Sequence, residues 1–334
     1  MKKSQSKKNR KRKGILLAII MILFTGVVLT ASTYAWFTAN RSVTVESIDV
    51  NVQATEGLQI STDATDWKAV ITNDDITGAQ WTGVINQLPK GTGVYASPVS
   101  SIGQTDSNGL MQMYKGTVAT PEGGSENLLT AIKSTESNGQ VGDFVAFDLF
   151  FRSTKAQPIY LTSASTVALK DGTSISGLEN AARVAFINEG GVEYGSTAAS
   201  AQAKKEGNLA LIWEPNYDTH TAAGVSNAHD AYGVNTTQTG GSKLSYVGVK
   251  APIPTPGVAV DSTNTSYFGS VTTTGSPASG IPSTTYIKVT DLVAGITKVR
   301  VYMWIEGQDV DCEDHASGGS ITYNLQFSID SRAG

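Results

Sequence analysis

The chain has 334 residues, 40% apolar and 16% charged, with one cysteine, Cys312. Its net charge is −4, yet eight Lys or Arg stand in the first 13 residues, so residues 14–334 carry −12. A body that acidic repels polyanions and argues against a nucleic-acid partner, while a lone thiol excludes an intrachain disulfide and a cysteine-based zinc site.

Residues 14–40 contain no charged side chain. Their dense apolar part, Ile15–Leu29, makes about 22 Å of helix, short of the ~30 Å hydrocarbon core and typical of a signal-peptide helix. Extended through Phe37 it spans, with Tyr34 and Trp36 at the outer interface. The basic cluster holds the N-terminus in the cytoplasm, so everything after Leu29 faces outward. Thr30, Ser32 and Thr33 weaken the helix, and Thr33-Tyr34-Ala35 puts small residues where a signal peptidase reads an extended strand. The expectation is a hydrophobic signal helix cut after about Ala35, with Thr33, Tyr34, Ala35, Trp36 and Phe37 as the cleavage region. Residues 1–35 are then a signal peptide, or a membrane anchor if uncut, and the product is secreted or tethered at the surface.

From Val43 the pattern is that of a strand. Val43 and Val45, then Ile48, Val50 and Val52, alternate with polar residues. The phase changes at Glu46-Ser47, which requires a bulge, a bend or two separate pairings. "NDDITGAQW" (Asn73–Trp81) reads as a loop. Short helical signals stand at Ser125-Glu126 before "NLLTAIK" and in "STAASAQAKK" (Ser196–Lys205). "FVAFDLFFRS", "PIYLTS", "RVAFINE", "LALIWE" and "KVRVYMWIEG" read as strands, several of them apolar on both faces as inner strands are. Residues 214–282 are rich in Gly, Ser, Thr and Asn and read as long insertions that supply little core. The last segment, "ITYNLQFSID", alternates five apolar with five polar residues, an antiparallel strand with one wet face. Strands outnumber helices and no βαβ rhythm is present. The expected class is all-β, an antiparallel jelly-roll or β-sandwich with long loop insertions, residues 36–334 forming one domain.

The search for catalytic motifs returns no HExxH, G-x-S-x-G, Walker A loop or GxGxxG. "LPKGTG" (Leu88–Gly93) has one residue too many for a sorting signal and no apolar tail after it. His220, His229 and His315 read as exposed loop histidines. "EGQDVDCEDHASGG" (Glu306–Gly319) is the densest acidic run. Asp309, Asp311, Glu313 and Asp314 offer oxygens of the kind calcium takes, although the EF-hand positions fail and a solvated turn is the plainer reading. Cys312 reads as a small, half-buried packing residue. Trp67, Trp81, Trp213 and Trp304 suit core packing more than a sugar-stacking platform. No other cofactor is expected.

The lysine-rich tip, the apolar run and "TYAWFTANRSVTV" before an alternating strand resemble the amino-terminus of the TasA/camelysin family. The resemblance covers about residues 1–52, with "GGSITYNLQFS" generically similar. Members are exported bacterial proteins whose leaders are removed by a SipW-type signal peptidase at a small-aromatic motif ending in Phe, a place that Ala35-Trp36-Phe37 fills here. The family implies a jelly roll that polymerises into biofilm-matrix fibres, one subunit's N-terminal strand completing its neighbour's sheet. On that reading Phe37–Val45 is the donated segment, anchored by Phe37, Val43 and Val45, and Ile48–Val52 belongs to the subunit's own sheet. The partners are then copies of the chain itself, the signal peptidase during export, and the membrane before cleavage. The expected function is a non-enzymatic surface or matrix protein. The alternatives are a membrane-anchored adhesin or carbohydrate-binding module, and a secreted hydrolase on a β scaffold.

Overall fold

The computed structural model describes residues 45–55 (backbone alone at 45–47), 57–79, 85–89, 96–119, 128–137, 139–170, 177–226, 243–244, 246–260, 263–312 and 317–330. The leader, the cleavage region Thr33–Phe37 and the candidate donor residues Phe37 and Val43 lie outside them.

Alternating sequence folds here into two facing sheets. The first contains β1 (Val45–Ala54), β3 (Val70–Ile71), β7 (Gln157–Leu161), β8 (Thr166–Leu169), β15 (Ile287–Leu292) and β17 (Gly319–Ser328). It runs in the order β15-β7-β17-β1-β3, with β8 also paired to β17. The second contains β2 (Gln59–Ser61), β6 (Val145–Ser153), β9 (Ala182–Glu193), β10 (Asn208–Glu214), β14 (Thr274–Gly275) and β16 (Gly295–Ile305), in the order β14-β10-β9-β16-β6-β2. A smaller sheet joins β4 (Met113–Ala119), β5 (Leu128–Ser134) and β12 (Ile253–Val258), and a ribbon pairs β11 (Val247–Val249) with β13 (Phe268–Ser270). The fold is all-β, as the sequence predicts.

The main core lies between the two large sheets. Ile48, Val50 and Val52 of β1 and Ile321, Tyr323, Leu325 and Phe327 of β17 enter it from one side. Phe147, Leu149 and Phe151 of β6 and Val299, Val301 and Met303 of β16 enter from the other. Phe327 stands edge-on to Phe151 at 5.0 Å and to Phe186 at 5.8 Å, a favoured aromatic geometry. Thr322, Asn324 and Gln326 point away, half-buried. That alternation matches the expectation for the last strand, but its pairing does not match fully. β17 is antiparallel to β7 and β8 and parallel to β1 over Val45–Ala54. The phase change in β1 is a bulge, since Val45 pairs with Gly319 and Ser47 with Ser320, leaving Glu46 as the extra residue.

The second sheet is buried on its outer face as well. Tyr302 and Trp304 pack there under Val99, Met111, Met113 and Phe144. Further along the same face, Phe150 and Ile296 pack with Ala64 and Ala201. Ala201 belongs to a helix that the sequence signals at its place, α3 (Ala198–Gln202), after α1 (Asn73–Gly78) and α2 (Leu178–Ala181).

Three expectations are overturned. The "NLLTAIK" segment is strand β5, because its pairing with all of β4 outweighs a weak helical start. The loop read at Asn73 contains α1, whose third residue, Asp75, accepts from the Thr72 N–H at 2.9 Å and so fixes the first turn. The insertion supplies core: Val249, Ile253, Val260, Phe268 and Ile281 join the main cluster. Its apolar residues are sparse, but Val249, Ile253 and Phe268 sit on short strands that aim them inward. Among the described residues no helix is long and apolar enough to cross a membrane.

Candidate functional site

Between the two apolar patches on the outer face of the second sheet lies a cleft of about 400 Å³. Its floor is charged. Asp148 of β6, Lys298 and Arg300 of β16 and Glu189 of β9 point outward because their neighbours Leu149 and Val299 fill the core. Glu136, the 108–110 turn and residues 202–205 after α3 form its walls.

The charges neutralise one another. Arg300 Nη1 donates to Asp148 Oδ1 at 2.8 Å, and its guanidinium also binds the Glu136 carboxylate. Lys298 Nζ lies 3.2 Å from Asp148 Oδ2 and donates to the carbonyls of Gln202 (3.1 Å) and Lys204 (3.0 Å). Tyr302 OH donates to Glu136 and accepts from Met111 N at 2.9 Å. Burial opposes the Arg300 charge, but Asp148 and Glu136 outweigh it and hold that guanidinium protonated still more firmly.

Glu189 is the exception. It is the residue inserted where β9 bulges against Lys298 and Val299, and no ion-pair partner sits directly on it among the described contacts. Its Oε2 accepts from Gly207 N at 2.9 Å. Gly109, at a φ of +79° that favours glycine, packs against it closely enough that a Cβ there would stand 2.6 Å from Oε2. Burial pushes the Glu189 carboxyl up to about 7, against the Gly207 N–H and Lys298. At neutral pH the carboxyl is therefore divided between its protonated and ionised forms.

A second polar cluster sits at the other end of β9. Arg183 is fully buried, with Nη2 3.0 Å from Glu214 Oε1 and 2.5 Å from Asp309 Oδ2, and its guanidinium lies 5.3 Å from the Tyr246 ring centre. Glu306 is wholly buried, accepting from Trp304 Nε1 at 3.0 Å and Gln308 N at 3.1 Å, and burial pushes it up to about 7. Burial likewise keeps Asp309 above its usual range despite Arg183.

Over its described residues up to Cys312, the acidic run is therefore no solvated turn. Asp309 and Asp311 are buried, Asp311 accepting from Thr221 N at 2.7 Å and facing His220 Nδ1 at 2.8 Å. They occupy these oxygens by tying the 214–226 segment to the sheet, while Glu313 and Asp314 lie outside the described residues. His220 is accordingly half-buried rather than exposed; His229 and His315 lie outside the described residues. No group of three His, Cys, Asp or Glu side chains is arranged for a metal among the described residues. Cys312 is fully buried. Trp213 and Trp304 are core residues, and Arg152 covers Trp67 at 4.3 Å, so these three make no stacking platform; Trp81 lies outside the described residues. Val45 pairs in-chain with Gly319.

Sequence reasoning missed the cleft. Its residues come from seven separate stretches, and the one local signal was a charged residue inside an apolar strand: Asp148 in "FVAFDLFF", Lys298 and Arg300 in "KVRVYMW". Compared with known proteins, the chain matches no family model, no curated protein and no solved structure.

Proposed function

We propose that the chain is an exported structural protein of the cell surface or extracellular matrix, and that copies assemble through the segment that precedes β1. The observation that supports this reading is the Glu46 bulge. It separates Ile48–Val52, committed to the subunit's own core, from the preceding stretch, where Val43 and Val45 alternate in the sequence in the opposite phase. An extended segment of that kind binds an open sheet edge through main-chain hydrogen bonds. Edge is on offer too: among the described residues, β3 pairs with β1 only at Val52 and Gln53, and Val50 N–H is taken by the Asn73 side chain at 2.7 Å. The partners on this reading are the chain itself, a signal peptidase during export and, before cleavage, the membrane.

The test compares protein beginning at Trp36 with the same protein lacking Phe37–Thr44, by electron microscopy and light scattering. Fibres from the first and monomers from the second are expected. A first protein that stays monomeric at every concentration, pH and salt, or a deletion that still polymerises, sinks the reading.

The cleft favours a second reading, a membrane-tethered adhesin or carbohydrate-binding module, since carboxylate, amide and cationic groups converge in a volume that suits a small polar ligand. N-terminal sequencing of the surface form separates the two: a start near Trp36 supports release, a start at Met1 supports the tether. A secreted hydrolase is less well supported, because Glu136 and Asp148 are both locked on Arg300.

A further inference from the structure

We propose that Lys298 and Asp148 condense to an amide, cross-linking β16 to its neighbour β6, with Glu189 carrying the proton. The inference stands apart from assembly and would hold for a monomer.

The three side chains come from three adjacent strands and line one cleft. Lys298 is 7% exposed, Asp148 2% and Glu189 1%. Lys298 Nζ stands 3.2 Å from Asp148 Oδ2, so the fold already holds the amine against the carboxyl group it would attack. The amine is aimed as well as close, since the Gln202 and Lys204 carbonyls grip it from the far side. Arg300 Nη1, 2.8 Å from Asp148 Oδ1, sits where negative charge develops when the carboxyl carbon is attacked, as an oxyanion-stabilising donor does.

The step balances without a co-reactant. In the ion pair, one proton passes from Nζ to Oδ2, leaving a neutral amine and a neutral acid. The amine attacks Cγ, forming the C–N bond and placing charge on Oδ1 beside Arg300. Protonated Glu189 gives its proton to the departing Oδ2 hydroxyl, the C–O bond breaks and water leaves. Glu189 then takes the surplus proton from nitrogen and is regenerated. A carboxyl titrating near neutrality suits both transfers.

The product removes two buried charges without unbalancing the site. Arg300 keeps Glu136 as its counter-ion, and the new amide oxygen still accepts from Nη1. The amide N–H retains one of the two carbonyls that held the ammonium. The chain has one cysteine, so this bond supplies a covalent staple that disulfide chemistry cannot.

The experiment is peptide mapping by mass spectrometry of the purified protein, produced and aged at neutral pH, beside Glu189→Gln and Lys298→Arg. Expected in the wild type is a branched tryptic species that joins the peptide ending at Arg152 to the one containing uncut Lys298, lighter than their sum by one water. It should be absent from Lys298→Arg and at least tenfold reduced in Glu189→Gln, whose carboxamide has the shape of the carboxyl it replaces and which should keep the fold by circular dichroism. Formation in freshly made protein should slow as pH rises above 7. A wild type cut fully after Lys298, with no branched species, overturns the proposal whatever the variants do. A Glu189→Gln protein that is linked as completely as the wild type overturns the part assigned to Glu189.

Discussion

Glu306 and Glu189 are carboxyls that keep a proton the unfolded chain would release. Each titrates near 7 in the fold against 4.5 in the open chain, so the native state binds more protons between those values. Their stabilising contribution is complete below about pH 4.5 and is lost as pH rises through 7. Glu214, held below its ordinary value by Arg183 against the effect of burial, has the opposite sign but acts only at lower pH. The urea midpoint should therefore fall between pH 5 and pH 8. For wholly buried Glu306 the drop amounts to at most roughly 3 kcal/mol, and Glu306→Gln should flatten the profile by about that much. A midpoint that rises across this window contradicts the assignment. None of this chemistry was visible in the sequence, where Glu306 sits in an acidic run and reads as surface. Its burial comes from Trp304 and Gln308, and from contacts that only the tertiary fold creates.

At the scale of elements, legibility followed length and pattern. β6, β9, β16 and β17 run nine to twelve residues, and their hydrophobic period declares them. α1 and β5 are short, and there the winner is decided by context: a capping Asp75 for one, a seven-residue ladder for the other. The bulge in β1 was legible because a one-residue slip moves every side chain to the other face. Deleting Glu46 makes this testable. The ladder with β17 should close without a break and the monomer should keep its unfolding free energy within about 1 kcal/mol, the usual scale of a single-residue change. The residues upstream would then present the wrong faces, so fibre formation should be lost. Deletion mutants that assemble normally would show that phase is irrelevant to assembly.

For the whole molecule, the insertion decides whether one cooperative unit exists or two. Low apolar content suggested loops hung on a sandwich, yet Phe268 is among the largest fully buried side chains and belongs to the main cluster. Phe268→Ala should cost about 3–5 kcal/mol and shift a single calorimetric transition as a whole. A separate, low-temperature transition moved alone would show an independent unit. The cleft has the same origin, assembled from stretches up to 215 residues apart, as in the contact of Arg300 with the Ile85 carbonyl. The parallel alignment of β1 with β17 has a mechanical corollary. Traction applied upstream of Val45 against traction applied beyond Ser328 runs along both strands in opposite senses, so their shared hydrogen bonds yield together in shear instead of unzipping in turn. Such a unit would resist tension far better than its modest thermodynamic margin suggests.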